Sequence, residues 1–175
     1  MIIPPAFKRA NNLIVFLPSD KKVLLPQYRI VFKKWTGKLP GFDFGNKPFV
    51  NYENQAMFAE LAVLKIFILS GWDGAWVETY GGKNFLQNMP SSWKLSQYNI
   101  PIPKDRKALL EKIWKTGKTT ACFDVFVWKD DNILFCEAKH KNKDKLTNAQ
   151  LKFIEGALAC GIERESLSII EWEYE

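Results

Sequence analysis

The chain has 175 residues, 47% of them hydrophobic and 25% charged, and this composition excludes a disordered or collagen-like polypeptide. Its length fits one domain whose core needs no disulfide or metal for stability. Three cysteines (Cys122, Cys136 and Cys160) without a Cys-x-x-Cys motif argue against a disulfide scaffold or a zinc ribbon. There is no bilayer-length apolar run and no signal-peptide pattern, so the sequence predicts an intracellular, cytoplasmic protein without a membrane partner.

The positive charge is concentrated in residues 1–50. This segment holds nine Lys and Arg residues against two acids, a net charge of +7, whereas residues 51–175 hold sixteen against seventeen. Such an asymmetry suggests nucleic acid as a partner, and a basic surface without a partner explains it equally well. The candidate nucleic-acid contacts in this segment, which run beside aromatic residues, are Arg29, Lys33 and Lys34.

Six prolines divide residues 1–50 into short pieces, among them predicted strands over 13–17 and 28–35. We therefore expect a basic, β-rich N-terminal extension followed by a core over residues 51–175. The core is predicted to start with a helix from Asn51 to Leu69 and a strand over Ala75–Tyr80.

The second half of the chain continues the alternation of helices and strands. The predicted elements are a loop over 83–103, a helix over 104–115, strands over 121–128 and 133–139, a helix over 147–160 and a strand over 167–172. This order predicts an α/β fold with a central mixed β-sheet flanked by helices.

The two strands over 121–128 and 133–139 carry charged residues in an otherwise apolar hairpin. With a two-residue turn at Asp130-Asp131, Asp124 lies opposite Glu137, and Lys139 shares their face. Both faces of the hairpin are otherwise apolar, so these charges are costly to bury unless partners or a metal compensate them. A buried salt bridge would explain Lys139 and one carboxylate but would leave the other unexplained.

Asp124, followed thirteen residues later by Glu137-Ala138-Lys139, resembles the core motif of the PD-(D/E)XK nuclease superfamily. The following segment, Leu146 to Gln150 at the start of a predicted helix, is similar to the VRR-NUC branch. The resemblance implies a restriction-endonuclease-like core and a metal-dependent nuclease. It further implies Mg²⁺, for which Mn²⁺ can substitute, with Asp124, Glu137 and the Ala138 carbonyl as ligands and Lys139 beside the reacting water.

Such ligands suit the chemistry, because Mg²⁺ prefers oxygen donors and keeps several of its waters. The cation makes a bound water more acidic and neutralises charge on the phosphate. A lysine next to it stabilises the negative charge that develops during cleavage.

Two further residues are candidates for the site. Superfamily members often carry another acid on the first helix, and Glu60, among apolar neighbours, is the better candidate; an exposed position is the alternative. Glu53 is accounted for by the favourable interaction of an acid with a helix N-terminus. Gln150 is either an active-site residue or the second half of a Thr147-x-x-Gln150 capping box.

The loop after the site is lysine-rich, and its candidate phosphate contacts are Lys141, Lys143 and Lys145. A solvated loop without a ligand would have the same lysine-rich sequence, so the pattern does not distinguish the two. We therefore expect a nuclease that acts on nucleic acid, and DNA is the expected substrate. No residue excludes RNA. A homodimer is one arrangement in which such a small domain could cut a duplex. The alternative is a non-catalytic nucleic-acid-binding or scaffolding module with the same fold.

Overall fold

The structure is a computed structural model that describes residues 3–40, 47–79 and 82–175. The strands are β1 (Lys8–Arg9), β2 (Leu13–Phe16), β3 (Lys22–Leu25), β4 (Gln27–Lys34), β5 (Phe49–Tyr52), β6 (Gln55–Phe58), β7 (Asp73–Glu78), β8 (Asn84–Leu86), β9 (Val125–Lys129), β10 (Asn132–His140) and β11 (Leu167–Tyr174). The helices are α1 (Ala59–Leu69), α2 (Lys104–Gly117) and α3 (Asn148–Ala159), with single 3₁₀ turns at Leu95–Tyr98 and Arg164–Ser166.

A large mixed sheet forms the centre of the molecule. Within the described residues its strand order is β6-β5-β4-β11-β10-β9-β7-β8, and β1 pairs with β4 off this path. The pairs β4–β11 and β10–β11 are parallel, while β9–β10 and β7–β9 are antiparallel. The predicted α/β class with a mixed sheet is therefore confirmed.

Helices cover both faces of the sheet. Helix α1 buries Leu61, Leu64 and Phe67 against one face, in the same cluster as Val125 and Val127 of β9. Helices α2 and α3 pack on the opposite face, in the cluster that contains Phe126, Phe135 and Phe153. The side chains of β9 thus alternate between two separate apolar cores, and the strand lies in the interior of a three-layer fold.

The basic N-terminal segment is continuous with this architecture. Strand β4 lies inside the sheet between β11 and β5, and the expected boundary at residue 50 falls within β5. Strands β2 and β3 form a separate two-stranded ribbon, whose inward side chains Val15 and Val23 join the core on the side of α2 and α3.

Three predicted segments differ from the structure, and the first is the strand expected over 121–128, which begins only at Val125. The helix expected from Asn51 begins only at Ala59, because residues 49–58 form a hairpin with Glu53 and Asn54 in left-handed backbone conformations at its turn. The loop expected over 83–103 contains β8 and a 3₁₀ turn. The strand predicted over Ala75–Tyr80 is β7, and Tyr80 lies outside the described residues.

The part of the chain that the structure describes contains no helix that is both long and apolar enough to cross a bilayer.

Candidate active site

The β9–β10 hairpin positions the predicted charged residues. Its register pairs Lys129 with Asn132 and Val125 with Cys136, so the two-residue turn is confirmed. Asp130 has φ of 52°, the left-handed conformation that tight hairpin turns require. Asp124 lies in a bend immediately before β9, next to Glu137 of β10.

Asp124 and Glu137 are joined by hydrogen bonds between side chain and main chain. The Asp124 N–H donates to Glu137 Oε2 at 3.2 Å, and the Ala138 N–H donates to Asp124 Oδ2 at 3.0 Å. The Asp124 carbonyl in turn accepts a hydrogen bond from the Val77 N–H of β7 at 2.7 Å. Three neighbouring strands therefore fix the two carboxylates side by side.

Lys139 and Gln150 complete a polar network around Glu137. The Glu137 side chain is only 2% exposed and forms an ion pair with Lys139 Nζ at 2.8 Å. Gln150 Nε2 donates to Glu137 Oε1, and Gln150 Oε1 accepts from Lys139 Nζ at 3.3 Å. Gln150 also forms the predicted capping box with Thr147 at the start of α3, and its role in an active site stays a prediction.

Both carboxylates are buried at a cost that the nearby cations offset only in part. Removal from water and the charges of Glu137 and Glu60 raise the pKa of Asp124 well above its usual range, although Lys47 and Lys139 act in the opposite direction. Burial also raises the pKa of Glu137 despite its ion pair with Lys139. A salt bridge to Lys139 alone therefore does not account for both acids.

Glu60 lies in the first turn of α1 and is bound to a lysine that the sequence pattern did not indicate. Lys47 Nζ forms an ion pair with Glu60 Oε1 at 2.7 Å and lies about equally far from the rings of Phe58 and Trp76 (5.2 and 5.1 Å). Burial lowers the pKa of Lys47, but the negative charges of Glu60 and Asp124 outweigh it and the pKa is raised. The Glu60 side chain is 12% exposed, so the interpretation as an exposed residue is wrong.

Lys47 was detectable from the sequence only as one of nine basic residues, since neither its spacing nor its neighbours distinguish it. Glu53, the second candidate acid of this region, is exposed in the turn between β5 and β6. The prediction that Glu53 lies in the first turn of a helix is therefore wrong.

Asp124 and Glu137 can supply only some of the ligands of a divalent cation, so water would have to complete its coordination. Among residues 3–40, 47–79 and 82–175, no three His, Cys, Asp or Glu side chains are grouped as metal ligands. Two adjacent carboxylates with raised pKa values nevertheless suit Mg²⁺, which takes few protein oxygens and keeps its waters. A dication between them would offset both the burial and the repulsion by Glu137, which together raise the pKa of Asp124.

The predicted nucleic-acid contacts are divided between several environments. Lys34 and Lys143 line the same cavity as Glu60, and Lys145 lines a second cavity with Lys139. Arg29 is paired with Glu171 at 2.9 Å. Lys141 is paired with Glu173 at 2.7 Å, and Lys33 is exposed on β4.

Comparison of the chain with protein-family models, with curated proteins and with solved structures finds no match.

Proposed function

We propose that this protein is a metal-dependent nuclease with a restriction-endonuclease-like core, which hydrolyses phosphodiester bonds of nucleic acid, with DNA as the expected substrate. The observation that carries the proposal is the placement of Asp124 beside Glu137, with Lys139 Nζ 2.8 Å from Glu137. The order and spacing of these residues also resemble the PD-(D/E)XK motif, and Gln150 adds to the resemblance with the VRR-NUC branch.

Each residue has a role that follows from its position. Asp124 and Glu137 would hold Mg²⁺ or Mn²⁺, with Glu60 and the Ala138 carbonyl as further candidates. When bound, the cation would acidify a water and neutralise charge on the phosphate. Lys139 is a positively charged donor beside Glu137, suited to orienting a nucleophilic water and stabilising developing negative charge. Gln150 keeps Lys139 and Glu137 in place through hydrogen bonds to both side chains.

One observation favours the alternative of a non-catalytic nucleic-acid-binding module. Glu60 is already paired with Lys47, so the acidic cluster of Asp124, Glu137 and Glu60 has an internal cation. This cation lowers the pKa of Asp124 only in part, since that pKa remains well above its usual range. Lys47 therefore offsets only part of the cost of burying these carboxylates, and a bound dication would offset more of it.

The test is cleavage of plasmid and branched DNA by the purified protein in Mg²⁺ or Mn²⁺, with EDTA as the negative control. Lys139→Met preserves the bulk of the side chain but removes the donor, and we expect it to reduce cleavage by about 100-fold or more. Lys112→Met, at an exposed position of α2, is the matched control and should cleave like the wild type.

Full activity in a folded Lys139→Met variant would overturn the mechanism. Absence of metal-dependent cleavage together with retained nucleic-acid binding would instead favour the non-catalytic module. Thermal melts should accompany each assay, because loss of one partner of a buried ion pair can also destabilise the fold.

A further inference from the structure

A cavity with a volume of about 740 Å³ opens beside the candidate active site. This volume is within the range of about 300–1,000 Å³ that is typical of sites for small organic ligands. Glu60 and Ala138 line one part of the cavity, which places it next to the acidic cluster. The lining also includes the carboxylate of Asp144 and four aromatic side chains, namely Trp35, Phe49, Trp172 and Tyr174.

Trp35 is held in place at the wall of this cavity. Its Nε1–H donates to the Lys38 carbonyl at 3.0 Å. The backbone of Gly37 packs against the six-membered ring, since a Cβ on that glycine would lie only 2.5 Å from Cζ2 of Trp35. The indole is partly exposed, so a rigidly held π-surface faces the cavity.

The other aromatic residues form a second wall. His140 stacks on Trp172 with ring centroids 4.1 Å apart, and Tyr174 packs edge-on against both rings. The Tyr174 hydroxyl donates to the Phe49 carbonyl at 3.1 Å, which connects this wall to β5. Contacts between three strands, β5, β10 and β11, therefore fix this wall.

Positive charges complement the aromatic surfaces. Lys34 and Lys143 are exposed at this cavity, and Lys47 lies deeper, against Glu60. Aromatic faces bordered by lysines are the combination that binds single-stranded nucleic acid, with bases stacked and phosphates near the cations. A base paired within a duplex is stacked on its neighbours and has no face available to such a cavity.

We propose that this cavity binds an unpaired nucleotide adjacent to the phosphodiester bond that is cleaved, with its base against Trp35. The inference rests on the proposed function and deepens it, because it assigns nucleic acid with unpaired bases as the substrate class. Phosphate contacts of Lys34 and Lys143 would orient the strand toward Asp124 and Glu137.

The experiment measures binding without cleavage, in EDTA, by fluorescence anisotropy. The probes are a fluorescein-labelled oligothymidylate, the same strand with abasic positions, and a labelled duplex of equal length. We expect wild-type protein to bind the oligothymidylate more tightly than the duplex or the abasic strand. Trp35→Leu should weaken binding of the oligothymidylate between about 5-fold and 150-fold, the effect of losing one stacking surface, with little change for the duplex.

Trp35→Phe is the matched variant, since it keeps an aromatic face and should retain most of the affinity. Trp93→Leu removes an indole that is 60% exposed and is not among the residues lining the cavity, and should bind like the wild type. Equal losses for oligothymidylate and duplex in Trp35→Leu, or unchanged affinity for both, would overturn the proposal. If Trp35→Leu does not fold, equal affinity of wild-type protein for intact and abasic strands would overturn it instead. None of these readouts requires cleavage. Failure of the nuclease proposal would be seen separately, in the cleavage assays of the wild type and of Lys139→Met.

Discussion

Burial opposes the ionised forms of Asp124 and Glu137 and raises the pKa of both carboxyl groups. Burial is the largest cause of the raised pKa of Asp124, and the charge of Glu137 is the next. Because the folded protein binds protons at this site more tightly than the unfolded chain, its stability decreases as the pH rises from about 4 toward the raised pKa. Below the carboxyl pKa of the unfolded chain, Asp124 is protonated in both states, so this loss of stability has not begun.

We predict that Asp124→Asn stabilises the metal-free protein at neutral pH. The amide can still accept the hydrogen bond from Ala138 N–H but removes one of two neighbouring charges. A gain of about 1 kcal/mol corresponds to a rise in Tm of about 2–4 °C for a domain of this size. The difference should shrink as the pH is lowered toward 4, and calorimetry in EDTA measures both effects.

The same melts repeated with Mg²⁺ or Mn²⁺ give the control. Metal bound to the folded state should raise the Tm of the wild type but not of Asp124→Asn. A lower Tm for the variant in EDTA would show that the Asp124 charge stabilises the fold, contrary to this prediction.

Glu60 and Lys47 should influence metal affinity in opposite directions. Glu60→Gln removes a negative charge near Asp124 and should raise the metal concentration needed for half-maximal binding. Lys47→Met removes a competing cation and should lower that concentration, since Lys47 acts on both Glu60 and Asp124. Titration of Mn²⁺ by calorimetry measures both values without any cleavage.

Glu53→Gln is the matched control for this pair, because it removes the same charge from the exposed β5–β6 turn. Its Mn²⁺ titration should match that of the wild type. If Glu60→Gln and Glu53→Gln titrate alike, Glu60 serves only as the partner of Lys47.

At the scale of elements, the β9–β10 hairpin was predictable and the start of α1 was not. The hairpin has a tight polar turn between two apolar strands, and its register then follows from counting residues. In residues 51–58 the apolar positions fit both a helix and a strand, and short runs of this kind do not distinguish the two. The turn at Glu53-Asn54 decides for a hairpin, although it lacks the glycine that usually marks such turns.

The packing of α2 on α3 depends on two glycines whose role no sequence pattern revealed. A Cβ on Gly156 of α3 would lie 2.7 Å from Gly117 N and from Ile113 O of α2. Overlap with backbone cannot be relieved by rotating a side chain. The close approach of these helices therefore requires glycine inside α3, where the residue is otherwise unfavourable.

We predict that Gly156→Ala lowers the free energy of unfolding by about 1–3 kcal/mol, the usual cost of overpacking a core. Helix propensity alone predicts the opposite sign, a gain of about 1 kcal/mol. Urea denaturation measures the difference, and Lys112→Ala on the exposed face of α2 should change stability little. A more stable Gly156→Ala variant would mean that the two helices can separate at low cost.

At the scale of the whole molecule, the sheet brings the basic N-terminal segment to the candidate active site. Strand β4 is parallel to β11, and the contact of Arg29 with Glu171 joins residues 142 positions apart. Local sequence patterns contain no information on pairing over such a distance, so the sequence indicated the charge of the segment but not its location. In the structure Lys34 lines the cavity with Glu60, while Arg29 and Lys33 are exposed elsewhere on β4.

The basic side chains of β4 are expected to contribute to DNA binding. Reversal of Arg29, Lys33 and Lys34 to glutamate should weaken DNA binding and flatten its salt dependence, because each phosphate contact adds roughly 0.9 to the slope for duplex DNA. Reversal of Lys107, Lys112 and Lys115 on α2 changes the net charge equally at exposed positions. If the phosphate backbone lies along β4, only the first triple variant should lose slope, while the metal concentration required for cleavage stays unchanged. Equal losses in both variants would mean that binding responds to the net charge of the molecule, and an unaltered slope in the β4 variant would place the nucleic acid elsewhere.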